Sequence, residues 1–296
     1  MSGPVSALLS GDRLHLQHGP IDLVCQAEGP GDAQGPAYAA ASRRFDGLLQ
    51  GLVDELPLLR APLAPDGPAP LGPVARRMHR AALPHAGTFL TPMIAVAGAV
   101  ADEVLAAMLA AAPLTRAFVN NGGDIALHLA SGHTYRAAMA GLDGADLGRV
   151  SLRSGDGIGG MATSGAGGRS HSFGIADSVT VLAGSAAAAD AAATLIANAV
   201  DLPDHPGIVR VAADTLQPDS DLGHRAVVTH VPPLARADRH RALDVGAARA
   251  ETMLARSLVR GVALFLQGEA RLLGAGFAPQ DIAGTTRPKE VTYAET

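Results

Sequence analysis

Tryptophan is absent from this chain and aromatic residues make up only 3% of it, so alanine, leucine and valine must fill its core. A nucleic-acid surface normally carries a basic stripe and often stacking aromatics; 23 Lys and Arg stand against 28 Asp and Glu here, for a formal net charge of −5. That balance argues against a nucleic-acid partner. The single cysteine, Cys25, excludes an internal disulfide and any multi-cysteine metal site, and its apolar surroundings point to packing. The N-terminal stretch lacks a basic n-region and turns polar early, so no secretory signal is read. Residues 179–200 are apolar, but Asp190 sits among them and Gly184-Ser185 divides them, which argues against a membrane span. The expectation is a cytoplasmic protein with no membrane contact.

With 296 residues and 48% hydrophobic composition, a sizeable core is affordable. The expected organisation is a single domain over residues 1–275 and a flexible tail over 276–296. Alternation predicts strands at 13–18 and 21–26, turned by Gly19-Pro20. Helical periodicity covers 38–59, followed by a proline-rich connection at 61–73. Residues 74–82 carry Arg76, Arg77, His79 and Arg80, either a solvated helix face or a receptor for an anion such as pyrophosphate. A helix over 91–112 has Thr91 as cap and Pro92 at its first position. Strands follow at 117–120, 125–130, 135–140 and 150–153, the second and third joined by a turn at Ser131-Gly132. Later elements are strands at 208–212 and 226–231 and a long helix over 242–273, interrupted at Gly261 and Gly268. Frequent hairpins and irregular alternation give an α+β class, with mixed or antiparallel sheets packed against alanine-rich helices. Those helices would pack within one chain or between two copies, so a homodimer stays open.

The most informative stretch is 159–200. A glycine-rich loop leads to an apolar strand at 177–182, then to an alanine-rich helix that Ser185 would cap. Asp190, Thr194 and Asn198 follow at steps of four and share one face of that helix. A carboxylate, a hydroxyl and an amide in line suit a hard cation such as magnesium, or a phosphate ester carrying one. The alternative is a buried helix whose polar residues satisfy loop carbonyls. Gly155 to Gly160 imitates a dinucleotide fingerprint, but more glycine and a strand follow where that motif needs a helix.

Four further constellations carry chemistry. Asn120-Asn121-Gly122-Gly123-Asp124 either exposes backbone N–H groups to a ligand or is an ordinary hairpin turn. Ala162-Thr163-Ser164-Gly165 lies within the glycine-rich loop, whose amides and hydroxyls would cradle phosphate, with Arg169 to neutralise charge. His171 and Asp177 stand at the mouth of that loop as a possible acid–base pair. Asp219, Asp221 and His224 read as a second metal cluster or as a turn.

These motifs in this order resemble the ApbE family of FAD:protein FMN transferases. The resemblance covers about residues 91–200 and rests on Asn121-Gly122-Gly123-Asp124, on Ala162-Thr163-Ser164-Gly165, on Ser178-Val179-Thr180-Val181, and on Ala189-Asp190 with Thr194. With GPIDL and PDSDLG, the chain looks like a compact branch of that superfamily. The resemblance implies an ApbE-like fold that binds FAD, through residues 121–124 and 162–165. It implies Mg2+ on Asp190 and Thr194, completed by a backbone carbonyl near 94–96. It also implies transfer of FMN from FAD to a Ser or Thr of an acceptor flavoprotein, with release of AMP. The chain departs from the family in lacking the Asp-Pro pair and long loop before SVTV, so His171 and Asp177 are expected to take the catalytic role. Ala97 stands where the family has a lysine before Gly98, while Asp102 is kept. A non-catalytic flavin carrier or assembly protein of a redox or sulfur pathway, and an FAD pyrophosphate hydrolase, are the other readings.

Overall fold

The structure is a computed structural model that describes residues 3–140, 146–168 and 170–282. The chain opens with three strands in meander, β1 (Val5–Leu9), β2 (Arg13–His18) and β3 (Ile21–Glu28). Burial alternates along β3, with Leu23, Cys25 and Ala27 inward, as a strand with one covered face requires. The expected helix over 38–59 is three helices: α1 (Gln34–Phe45), α2 (Leu48–Asp54) and α3 (Leu56–Arg60). Gly47, at φ +72°, makes the first break. Pro57 starts the third helix, where its missing N–H is tolerated. After the proline-rich connection come α4 (Pro73–Ala82), a 3-10 turn at Pro92–Ala95 and α5 (Val96–Ala111).

Among the described residues, nine strands form the main sheet. The hairpin β4 (Arg116–Asn121) and β5 (Asp124–Leu129) extends the opening meander, and β6 (Thr134–Ala140) with β7 (Asp146–Arg153) leaves it for a smaller sheet. The expected turn at Ser131-Gly132 joins β5 to β6, but the two strands belong to different sheets. The chain returns as β8 (Gly160–Ser164) and β9 (Ser178–Ala183), followed by α6 (Ala186–Ala199). An outlying hairpin, β10 (Val209–Ala212) and β11 (Ala226–His230), encloses the single turn α7 (Ala213–Leu216). Then come α8 (Arg236–Ala255), β12 (Gly261–Leu266), β13 (Glu269–Gly274) and β14 (Phe277–Ile282). The main sheet runs β1-β2-β3-β4-β5-β8-β9-β12-β13 with antiparallel neighbours, and the small sheet runs β14-β7-β6.

Two expectations fail at the C-terminal end. The helix predicted over 242–273 ends at Ala255, and the hairpin β12–β13 follows. An unbroken apolar run, Val262 to Leu266, fits a buried strand or a buried helix equally by periodicity. Here β12 lies between β9 and β13, buried along its whole length. Gln267 and Gly268, both at positive φ, make its two-residue turn. The tail expected from residue 276 begins with β14, whose Phe277 pairs with Val150 of β7; residues 283–296 lie outside the described residues.

The layers follow from these pairings. Helices cover one face of the main sheet, with α1 and α5 over β2–β5, α6 over β8 and β9, and α8 over β12 and β13. The small sheet covers part of the other face, where Val150 and Leu152 meet Leu127, Met161 and Leu182. This double cover explains why β9 and β12 are buried at every position. One helical stretch among the described residues, Pro92–Ala111, is long and apolar enough by composition to cross a membrane. In this fold it packs between α1, α6 and the β4–β5 hairpin. Glu103 of α5 accepts hydrogen bonds from Arg44 of α1 at 2.8 Å and Arg77 of α4 at 2.7 Å. Burial alone would raise its carboxyl, but the two guanidiniums hold it below the ordinary range.

The two alanine-rich helices cross at contact distance. A Cβ on Gly98 would lie 2.3 Å from the Ala186 carbonyl oxygen. Gly98→Ala should therefore force α5 and α6 apart and destabilise the fold by about 2–4 kcal/mol, read from urea unfolding. His85 is buried and near Arg249 and Arg256; burial, then those charges, push its pKa down from 6.5 to about 4. The unfolded chain thus binds a proton that the folded chain refuses. Stability from this residue is present above pH 6.5 and lost as pH falls toward 4, by about 3 kcal/mol in all. His85→Gln should flatten that slope in unfolding curves taken between those pH limits.

Candidate functional site

The starts of α5 and α6 satisfy each other. Ser185 caps α6 in the expected way, its Oγ accepting from the Ala188 N–H at 3.2 Å. The amides of Ala186 and Ala187 donate to the two carboxylate oxygens of Asp102 on α5, both at 2.9 Å. In return, the Gly98 amide donates to Asp190 Oδ2 on α6 at 3.0 Å, and the Ala97 amide also bonds that carboxylate. Each helix thus binds the other's free N-terminal amides through a carboxylate four residues beyond one of its own clamped amides. Gly98-x-x-x-Asp102 and Ala186-x-x-x-Asp190 are the matching halves.

This clamp delivers Asp190 to the wall of a cavity of about 310 Å³ on the helical side of the main sheet. Thr194 and Asn198 line the same wall, as their spacing on one helix face predicts. Asp124 enters from the β4–β5 turn, His171 from the loop before β9, and Ile94, Val96 and Ala97 from the start of α5. A strap, residues 217–222, also lines the cavity and contributes Asp219 and Asp221. Asp221 accepts a 2.5 Å hydrogen bond from Thr91 Oγ1, and Asp219 pairs with Arg60 at 3.2 Å. Arg225 stacks its guanidinium over the lining residue Phe89, 3.2 Å from the ring centre.

The electrostatics of the cavity are set by buried and neighbouring carboxylates. Burial raises the Asp190 pKa well above the ordinary carboxylate value, and the neighbouring charge of Asp124 raises it further. The Gly98 and Ala97 amides oppose the shift, and Asp102 adds to it. Asp102 is raised by its own burial, against the bonds from Ala187 and Ala186. No group of three or more His, Cys, Asp or Glu among the described residues has metal-holding geometry. A cation here would take carboxylate oxygens from Asp190 and Asp124 and the Thr194 hydroxyl, leaving the remaining positions to water or phosphate. That sparse set of hard donors fits magnesium.

The other singled-out residues fall in several places. Asn121 is buried beside the cavity, its Nδ2 donating to the Ala97 carbonyl at 3.1 Å. It therefore holds the start of α5. Gly122 and Gly123, at φ +64° and +112°, form the two-residue β4–β5 turn, and the Gly123 amide donates to Asn120 Oδ1. Ala162, Thr163 and Ser164 lie in β8, whereas a phosphate-cradling loop was expected; none of the three lines the cavity. Ala162 faces the helical core, and Thr163 meets Thr180 Oγ1 at 3.0 Å within the sheet. Gly165 packs tightly on the Asp177 backbone, where a Cβ would lie 2.4 Å from the Asp177 carbonyl oxygen. Asp177 is exposed and accepts a hydrogen bond from the Gln267 amide in the β12–β13 turn; it does not line the cavity as His171 does. Asn198 Oδ1 accepts from Phe173 N at 3.0 Å and Ser172 Oγ at 3.2 Å, so this member of the helix face does satisfy a loop. His224 pairs with Asp214 and stands away from Asp219 and Asp221 at the cavity, so the second metal cluster is not assembled. Arg77 is held by Glu103, and neither it nor Arg76 nor Arg80 reaches the cavity. Arg169 lies outside the described residues. Arg60, Phe89 and Thr91 had no local signal for the cavity, since strand and helix packing bring them there from outside any motif.

Comparison with known proteins adds the family. A family model described as AbpE bacteria matches residues 5–272. A UPF0280 protein of Methanothrix thermoacetophila is 35% identical over 178 residues, 56% of this chain and 70% of the relative. UPF0280 proteins of Methanopyrus kandleri and Methanococcus vannielii are 39% identical over 145 residues and 41% over 119. Those matches cover 48% and 38% of this chain, and the chain spans about half the length of each relative, 55% and 47%.

The clamp makes its own prediction. Asp102→Asn keeps one acceptor oxygen where two amides need one each, and should destabilise the protein by about 1–3 kcal/mol. Amide hydrogen exchange should quicken at Ala186 or Ala187 and, through the shared helix contact, at Gly98. Unchanged protection at all three would remove the clamp from the account.

Proposed function

The chain belongs to the family described as AbpE bacteria, and on that premise we propose that it is a magnesium-dependent flavin transferase, moving FMN from FAD onto a Ser or Thr of an acceptor flavoprotein. The observation that carries the reading is the convergence of Asp190 and Thr194 of one helix, Asp124 of the β4–β5 turn and His171 of a loop, three parts of the chain, on a single cavity.

Bound magnesium would neutralise the pyrophosphate and stabilise the departing phosphate. The protein's own part is to hold reactants and move one proton. Asp190 and Thr194 keep their positions because α6 is anchored to α5 at its first turn. Asp124 brings a second carboxylate on a rigid hairpin. His171 is the acid–base group at the cavity: its imidazole takes the proton of the acceptor hydroxyl as that oxygen bonds to the FMN-side phosphorus. The phosphorus–oxygen bond to AMP breaks in the same displacement, and AMP leaves with the bonding pair. Leu195, Ile94 and Phe173 supply apolar wall.

One observation favours a second reading. Asp177, expected to share the catalytic role, is engaged at the β12–β13 turn, so the site has fewer acid–base groups than a paired mechanism uses. A flavin carrier or assembly protein would need no such pair.

Purified protein given FAD and magnesium, with and without cell extract, separates the outcomes. Transfer yields AMP and a newly fluorescent protein band. Hydrolysis yields AMP and free FMN. Binding without AMP supports the carrier. Asp190→Ala should lower magnesium-dependent AMP release about 100-fold or more; unchanged release would refute the assignment of Asp190.

A further inference from the structure

Among the described residues, Arg60 is the only Lys or Arg lining the cavity, which the carboxylates of Asp124, Asp190, Asp219 and Asp221 also line. It ends α3, a helix of five residues, just before the proline-rich connection. Its Nη2 lies 3.2 Å from Asp219 Oδ2, and Gln217 Nε2 donates to the other oxygen at 3.3 Å. Of the four carboxylates, Asp219 is the most exposed, at 65% of its side chain, and Arg60 is 35% exposed. Asp221 is held separately by Thr91. The one described Arg of the lining is therefore tied to the most exposed of its carboxylates.

We propose that Arg60 is the anion-selecting residue of this cavity, held in reserve by Asp219 and surrendered to an incoming phosphate. The inference rests on the reading that the cavity takes a flavin nucleotide. An ion pair this exposed contributes little to stability, so exchanging its partner is easy. A guanidinium fork accepts a phosphate in the same two-point geometry as a carboxylate and gains from the greater negative charge. Asp219, once released, returns to water with Gln217 still beside it. The remaining carboxylates repel an anion, so without Arg60 no described Lys or Arg of the lining would attract phosphate. Arg60 selects the phosphate-bearing form of the ligand over the uncharged one.

The test is FAD titration in the presence of magnesium, followed by flavin fluorescence, on the full chain and three variants. Riboflavin serves as the uncharged control. Arg60→Gln should weaken FAD binding about tenfold and leave riboflavin binding unchanged. Asp219→Asn should tighten FAD binding about two- to fivefold, because it frees the guanidinium. The double variant should match Arg60→Gln alone, since without Arg60 there is nothing to free. A gain from Asp219→Asn that persists in the Arg60→Gln background would show simple removal of a repelling charge and overturn the proposal. FAD binding indifferent to Arg60→Gln would also overturn it, while leaving the nucleotide reading intact. A wild-type chain that takes up no FAD would bring down both.

Discussion

Two carboxylates hold two helix starts together, and most of the molecule is arranged around that contact. An α-helix begins with amides that have no partner inside the helix. Where two such starts are buried against each other, those amides need acceptors that solvent cannot supply. Asp102 serves α6 and Asp190 serves α5, each bonding two consecutive amides. The exchange works only at very short range, which is why Gly98 and a row of alanines stand at the crossing. It also explains how α5, the helix with the composition of a membrane span, comes to lie in the core of a mixed α and β domain.

The same contact produces a carboxylate with a divided role. Asp102 is spent on structure, and Asp190 is bonded to α5 while still bordering the cavity. Its burial and the nearby Asp124 make the ionised form expensive. A hard cation at that wall would relieve both pressures while the amides of Gly98 and Ala97 keep the carboxylate aimed. The cavity is thus lined by parts of the α5–α6 clamp and the β4–β5 turn, and by the strap at 217–222, which is held by individually weak polar latches. The ligand selection proposed for Arg60 would act through those latches, and the proposed reaction through the clamp and turn.

Much of the α+β class and many individual strands were legible from alternation, turn chemistry and capping residues. The Ser185 cap and the shared face of Asp190, Thr194 and Asn198 were legible because a helix has one period. The errors have physical causes as well. Val262 to Leu266 is apolar on both sides because the sheet is covered on both faces at β12, and such a run carries no period to read. The strand Gly160–Ser164 was hidden by its glycines, which were taken as loop residues. At Gly160, however, the missing side chain makes room for the α6 backbone, since a Cβ there would lie 2.1 Å from Ala186 N. Asp177 looked like a partner for His171 because the two are six residues apart, but the start of β9 carries it toward the β12–β13 turn.

By itself the sequence determined the local matters: which segments favour helix or strand, where several turns fall, and which polar residues share a helix face. These depend on neighbours a few positions apart, whose geometry is set by covalent structure and period. Only the tertiary structure decided that Thr163 meets Thr180 of the neighbouring strand and that Asn198 is spent on a loop. It also decided that Arg60 meets Asp219, 159 positions away. Those outcomes turn on strand order and helix crossing, which arise from burying the whole apolar surface at once and leave no mark on any one stretch of chain.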